Sequence, residues 1–383
     1  MSKALFLPPF GNTVDAPRLR IKAGGVAVPW PIEASITQTN QWEASRFACR
    51  IALQDTDAMN AAWWCDQTDV RIEIDISIDG GASWTSILSG VTDELDYDFA
   101  ANYLTLSGRD LAALLIDQKT ASSYGNMTSS EIATALASAV GLGTSHITAT
   151  KTPVGDYYAS NHVRQDGGNL SRAVTQWDLL IWLAQQEGFD LFVQGSDLYF
   201  QPPQISTAIP FQVMVARGSG GATANVDNLQ MRRSLTLAKD VKVTVKSVNS
   251  YAGQTYTATA TSPAVRKAAG QTQSYVFYKP NLTLAHAQNY ANQRLAEITR
   301  HERVIEFECA GELNLTPFGV VRVSGSGTSF DQLYYPDQIT RSIDFTSGFK
   351  QHVVAKNHTA SEQIALASGS TGAQGLDYLT GGQ

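Results

Sequence analysis

The sequence predicts a β-rich α+β chain in which two strand-rich regions flank a small inserted α+β domain. Three observations carry this: period-two hydrophobic alternation in the outer regions, turn clusters between the alternating runs, and two capped amphipathic helices in the middle. At 383 residues the chain exceeds what one hydrophobic core usually serves, so several domains are expected.

The clearest strand is "VRIEIDISID". In it Val70, Ile72, Ile74, Ile76 and Ile78 alternate with Arg71, Glu73, Asp75, Ser77 and Asp79, which predicts one buried and one polar face. Similar runs occupy 102 to 108, 241 to 248, 303 to 311 and 319 to 325, separated by Gly, Asp, Asn and Ser. In the middle, Thr128 and Glu131 form a capping-box pattern ahead of Ile132, Leu136 and Val140, with Gly141 as the stop. Thr175 and Asp178 repeat that grammar before Leu179, Leu180, Trp182 and Leu183, and Gly188 ends the second helix. The runs "FDLFV" and "LYFQPP", joined by "QGSD", predict a hairpin. A third helix, with Ala287, Tyr290, Ala291, Arg294, Leu295 and Ile298 on one face, is expected to pack on the second β region. The domains are therefore 1–117, a β domain with an N-terminal arm; 118–205, the α+β insert; 206–358, a second β domain with one packed helix; and 359–383, a Gly-, Ser- and Ala-rich tail expected to be mobile. No sequence repeat is recognised, although two β regions of similar size permit a structural one.

Composition narrows the function. Cys49, Cys65 and Cys309 lack the spacing of a zinc or redox motif and read as reduced core residues. No window approaches a membrane span, and no signal peptide is read. A formal charge of -7 with both signs interspersed offers no basic face, which disfavours direct or sequence-specific nucleic-acid binding. The six histidines make no metal-ligating pair, "RGSGGAT" lacks the ending of a phosphate loop, and no G-x-S-x-G elbow occurs. No catalytic residue, cofactor or metal site is assigned. Acidic clusters at strand spacing, Glu94, Asp96 and Asp98, and Glu306 with Glu308, read first as solvated faces.

The sharpest short motif is "SIDGGASW", residues 77 to 84. Ser77, Asp79, Gly81 and Trp84 fit the S-x-D-x-G-x-x-W pattern and resemble the Asp-box of sialidases and related propeller proteins. Physically it specifies a turn. With Trp42, Trp63, Trp64 and Trp84 as an aromatic platform, it supplies the alternative reading, a glycan-binding protein or glycosidase.

The stretch "SRAVTQWDLLIWLAQQEGFDLFVQGSDLYFQPP" (171 to 203) resembles the middle domain of phage tail hub proteins, the late-control protein D group and the Mu-like baseplate hub. "LSGRDLAALLID" (106 to 117) is similar to that family's Gly-Arg-Asp exit from the first barrel, and 330 to 354 is similar to its final strands. With residues 19 to 53, the resemblance spans nearly the whole chain outside the tail. It implies two tail-tube-like β-barrels per chain and no enzymatic role. It also implies a homotrimer whose six barrels form a pseudo-sixfold ring between the tail tube and a central spike, with a channel for DNA. Other baseplate components would bind the inserted domain, and the location would be the tail tip or baseplate of a virion assembled in the host cytoplasm. On that expectation, the acidic row Glu73, Asp75 and Asp79 and the cations Lys242 and Lys246 would set the order of barrels by complementary charge. Glu94, Asp96 and Asp98 would line the channel and repel phosphate.

Overall fold

The structure, a computed structural model, describes residues 16–357 apart from 41, 120–122, 152, 155–162, 166–174, 204–209, 220, 238–239, 249–253, 263–271 and 281. The expected N-terminal arm, through residue 15, and the expected mobile tail at 359–383 lie outside the described residues.

The first β unit contains β1 (Arg18–Ala23), β2 (Val26–Ala27), β3 (Pro31–Thr39), β4 (Arg46–Ala52), helix α1 (Ala61–Cys65), β5 (Arg71–Ser77), β6 (Thr85–Asp98) and β7 (Tyr103–Asp110). Its strands run β3-β4-β7-β6-β5-β1-β2, and β1 also packs against β3 without a hydrogen-bonded ladder. The alternating apolar residues meet in one core, where Ile21, Ile36, Ile51, Trp64, Ile72, Ile74, Ile76, Leu104 and Leu106 are fully buried. In β5 the alternation is incomplete, because Asp75 and Ser77 are buried with the isoleucines. Cys49 is buried in this core, whereas Cys65 is exposed, contrary to the core placement expected of all three cysteines. Burial pushes the Cys49 thiol up to about 12.

The middle of the chain supplies α2 (Ala113–Ile116), β8 (Ser123–Gly125), α3 (Ser129–Ala139), β9 (Gly143–Ile147), β10 (Val163–Gln165), α4 (Gln176–Glu187), β11 (Asp190–Gln194) and β12 (Asp197–Gln201). Both capping boxes form as the sequence indicates, Thr128 with Glu131 and Thr175 with Asp178, and Gly188 closes α4 at φ 73°. The hairpin β11-β12 adds β9 in parallel, and α3 and α4 cover this sheet through Ile132, Leu136, Leu180, Leu183, Leu191 and Phe200.

The remainder comprises β13 (Phe211–Gly218), β14 (Gly221–Ala224), β15 (Asp227–Arg233), β16 (Val241–Val248), β17 (Thr255–Ser262), β18 (Gln273–Tyr278), α5 (Leu284–Arg300), β19 (Arg303–Ala310), β20 (Val321–Ser324), β21 (Leu333–Asp344) and β22 (Gly348–Asn357). The sequence assigns all of it to one β domain, but the structure divides it. Strands β16 to β18 form a separate three-stranded sheet, in the order β17-β16-β18, whose own core lies against α5. The apolar face of α5 thus packs on Val241, Val243 and Val245, and the helix also touches α4. The other strands run β14-β13-β20-β21-β22-β19-β15 around Phe211, Ile305, Phe307, Val321, Tyr334 and Ile339.

The two β units are not separate sheets. Strand β21 pairs with β22 along one edge; its other edge pairs with β20 at Leu333 and Tyr334 and then with β3 from Gln338 to Ile343. The change of partner falls at a register shift between Pro336 and Gln338, where the proline has no N–H to offer a ladder. A single 14-stranded sheet results, and its path among the described residues is open, so the expected barrels are not closed by pairing.

At this seam Arg341 points inward and is only 2% exposed. Its guanidinium donates to the Gln38 side chain of the first unit and to the carbonyls of Glu312 and Leu315 in the second. Burial pulls its pKa down to about 10, so it stays charged at neutral pH. Arg341→Ala is expected to lower the unfolding free energy by about 3 kcal/mol, read by urea denaturation, because it opens a cavity and strands two buried carbonyls and the half-buried Gln38 side chain.

Candidate interaction surfaces

Antiparallel pairing of β1 with β5 places Arg20 opposite Asp75 and Lys22 opposite Glu73. Arg20 binds Asp75 at 2.7 Å, and Lys22 reaches Glu73 at 2.9 Å and Asp75 at 3.1 Å. The hydrogen bonds that Lys22 donates to Glu73 and Asp75 raise its pKa. Two members of the expected acidic row are therefore neutralised within their own sheet.

The third, Asp79, belongs to the Asp-box turn. Ser77 Oγ donates to its Oδ1 at 2.6 Å, and the backbone and hydroxyl of Ser83 donate to the same carboxylate at 3.0 and 2.5 Å. These donors, Ser77 first, hold Asp79 well below the usual carboxylate range. Gly81 adopts φ 103°, and Trp84 lies beneath the Arg20 guanidinium at 4.2 Å. The motif thus fastens a hairpin and its carboxylate is fully engaged. The four tryptophans do not form one platform: Trp63 and Trp64 meet edge to face at 4.8 Å beside the first core, whereas Trp42 packs with the middle unit.

Lys242 and Lys246 stand on the solvent side of β16, opposite the valines that pack on α5. Lys246 approaches the exposed ring of Tyr278 at 5.9 Å. Glu94 and Asp96 are exposed on β6, while Asp98 caps the following turn by accepting from Ala100 N and Ala101 N, both at 2.9 Å. Pairing registers carry this acidic face across the seam: Glu94, Ser107, Ala48, Ser35 and Ser342 form one row of a single outer face. Thr37 and Thr340, in the next row, touch through their hydroxyls at 3.2 Å. Two arginines of that face are paired, Arg50 with Glu33 and Arg109 with Asp93 and Asp117. Glu306 and Glu308 lie on β19, where Glu306 meets His352 at 2.9 Å and Glu308 accepts from Asn228.

The Gly-Arg-Asp stretch is the joint by which β7 leaves the first unit. A side chain at Gly108 would meet the Val91 carbonyl and the Phe47 ring, so only hydrogen fits. Arg109 forks between Asp93 and Asp117, and Asp110 accepts from Ser45 N at 2.7 Å and Ala112 N at 3.0 Å. Sequence reasoning recognised this stretch by resemblance but missed its work as a buried cap. Burial outweighs those hydrogen bonds and pushes Asp110 up to about 6.

Solved structures share the overall fold. The tail protein from Neisseria meningitidis MC58 aligns at 16% identity over 89% of this chain and 96% of its own, with a TM-score of 0.63. The 43 kDa tail protein of prophage MuSo2 from Shewanella oneidensis gives 16% identity, 89% and 98% coverage, and a TM-score of 0.63. Prophage tail protein gp18 from Listeria monocytogenes EGD-e gives 14%, 92% and 99%, and 0.56. The chain therefore has the fold of phage tail proteins, as the sequence resemblance implies. No protein-family model matches the sequence, and no curated protein matches it.

The raised pKa of Asp110 means that its proton stabilises the folded state. Its contribution is present below pH about 4 and is lost as the pH rises through about 6, by roughly 3 kcal/mol. Asp79, Asp98 and Asp344 have the opposite sign, because their lowered values remove stability only as the pH falls below the usual carboxylate range. Denaturation across pH 4 to 7 is expected to show the decline in the parent chain and a flattened profile in Asp110→Asn.

Proposed function

We propose that the chain is a structural tail hub of a bacteriophage, a trimer whose two β units per chain make a pseudo-sixfold ring between the tail tube and a central spike. The observation that carries this reading is the pair of β units fused through β3 and β21 into one sheet with a continuous polar outer face. Two similar units per chain are what three chains need to present six positions around a closed ring. The contact of β1 with β3 in the first unit fits a rolled, barrel-like shape. The length of the likeness to phage tail proteins, 89% of the chain for two of them, gives the same reading to the α+β units. These units would stand outside the ring and hold other tail or baseplate components. The role is not enzymatic, and the chain would reside at the virion tail tip.

In this reading the outer face is the channel wall. Its serines and threonines carry no charge, Arg50 and Arg109 are offset by Glu33, Asp93 and Asp117, and Glu94, Asp96 and Asp98 outnumber the exposed Arg46, so the face would on balance repel passing DNA. A double change of Glu94 and Asp96 to Lys is expected to slow DNA release from triggered particles, with the greatest effect at low salt. An unchanged release rate would remove this wall from the channel.

Sedimentation with electron microscopy tests the assembly. A trimer of about 124 kDa, three times the 41.3 kDa chain, with a central opening is the expected result. A chain that remains a monomer even in isolated tail tips overturns the ring. Lys242 and Lys246 lie on β16, in a unit that would stand outside the ring, and the acidic row expected to face them is engaged within its own sheet, so K242E with K246E is expected to leave the trimer fraction unchanged even at low salt.

A further inference from the structure

Two hairpin turns of the joined sheet are built alike. After β6 the chain reads Asp98-Phe99-Ala100-Ala101-Asn102, and after β21 it reads Asp344-Phe345-Thr346-Ser347-Gly348. In each the aspartate Oδ1 accepts from the backbone N–H groups two and three residues on: Ala100 and Ala101 at 2.9 and 2.9 Å, Thr346 and Ser347 at 2.7 and 2.6 Å. In each the fifth residue is left-handed, Asn102 at φ 53° and Gly348 at φ 71°. Each thrusts a phenylalanine into solvent, Phe99 being 84% and Phe345 81% exposed.

The topology fixes where these turns lie. β6 and β4 are both antiparallel to β7, and β21 and β4 are both antiparallel to β3. β6 and β21 therefore run the same way, and both turns sit at one end of the sheet. Trp30, 54% exposed, precedes β3 at that same end. Four strand steps separate the turns, or about 20 Å, and six points at that spacing close on a ring roughly 40 Å across. Phe99 leans edge to face on Tyr97 at 6.2 Å yet keeps most of its ring in solvent, as Phe345 does, so both rings are open to a partner. Each carboxylate, already accepting three hydrogen bonds near its turn, has room for about one more donor. Turn hydrogen bonds keep both carboxylates ionised near neutral pH, with the Ala101 amide the main cause at Asp98 and the Ser347 hydroxyl at Asp344.

We propose that the two Asp-Phe turns are equivalent docking points for one repeated partner, the adjoining ring of the tail tube. Each subunit of that ring would offer an apolar pocket with hydrogen-bond donors at its mouth. The inference rests on the hub reading and deepens it: both β units would engage the tube in the same way, so three chains satisfy six tube subunits.

The test places the photo-cross-linking residue p-benzoylphenylalanine at Phe99 or at Phe345 in chains incorporated into tail particles, and maps the adducts by mass spectrometry. Both positions are expected to cross-link to the same peptide of the tail-tube protein. Adducts to different proteins, to a second copy of this chain, from one position alone, or from neither position in particles that contain the chain overturn the proposal while leaving the hub reading intact. Failure of the unmodified chain to enter tail particles overturns both. Phe99→Ser and Phe345→Ser should each keep the parent melting temperature and each reduce binding to tail-tube rings roughly tenfold. Undiminished binding by the double variant would also overturn the proposal.

Discussion

The rest of the architecture depends on one strand serving two β units. β21 has only two edges, and β22 takes one of them entirely, so β20 and β3 must divide the other. Pro336 makes the division possible by removing a donor where the partner changes, and Asn40 secures it by donating from its backbone to Asp337 O and from its side chain to Pro336 O. A hydrogen-bonded ladder resists bending far more than a loop does, so the two β units are held as one plate. Arg341 completes the joint on the inner side. A leucine there would fill space but leave Gln38 and two carbonyls without donors, whereas the guanidinium supplies five N–H groups in a fixed plane.

The small α+β units show how the chain uses the space outside that plate. Both contain a three-stranded sheet with one antiparallel and one parallel neighbour about a central strand, β12 in one and β16 in the other. Neither sheet is large enough to bury a core unaided. Each gains its second layer from a helix, and the helices α4 and α5 then pack against each other. A cavity of about 280 Å³ remains beside this contact, bounded by Asn40, Trp42, Glu187, Asp190 and Arg300. The units thus support each other as well as the plate.

Local grammar was legible in the sequence, and long-range partnership was not. Thr128 with Glu131, Thr175 with Asp178, and Gly188 announce their helices because capping is decided within four residues. The Asp-box announces its turn for the same reason. The separation of "VKVTVKSV" from the other strands was hidden, because alternation reports a half-buried strand and not which sheet receives it. Asp75 was read as an outward charge because a period-two pattern cannot show that Arg20 and Lys22 stand opposite, 55 and 53 residues earlier. The paired turns at Phe99 and Phe345 share too few residues to be read as a repeat before their hydrogen bonds and common end are known.

The edges of the plate constrain how it can meet its neighbours. Among the described residues its path ends at β2, of two residues, and β14, of four, and branches to end at β15, which carries Arg232 and Arg233. Short and charged edges discourage another chain from adding a strand. Association by extending the sheet is thereby disfavoured, and faces and turn tips are left to make the contacts. A face polar from β6 to β21 suits water or a passing polyanion better than a dry protein interface, which prefers aromatic anchors and few charges. The aromatic tips at one end supply what that face lacks. In the proposed ring, the division of labour would be between a polar wall that does not adhere and a rim that does.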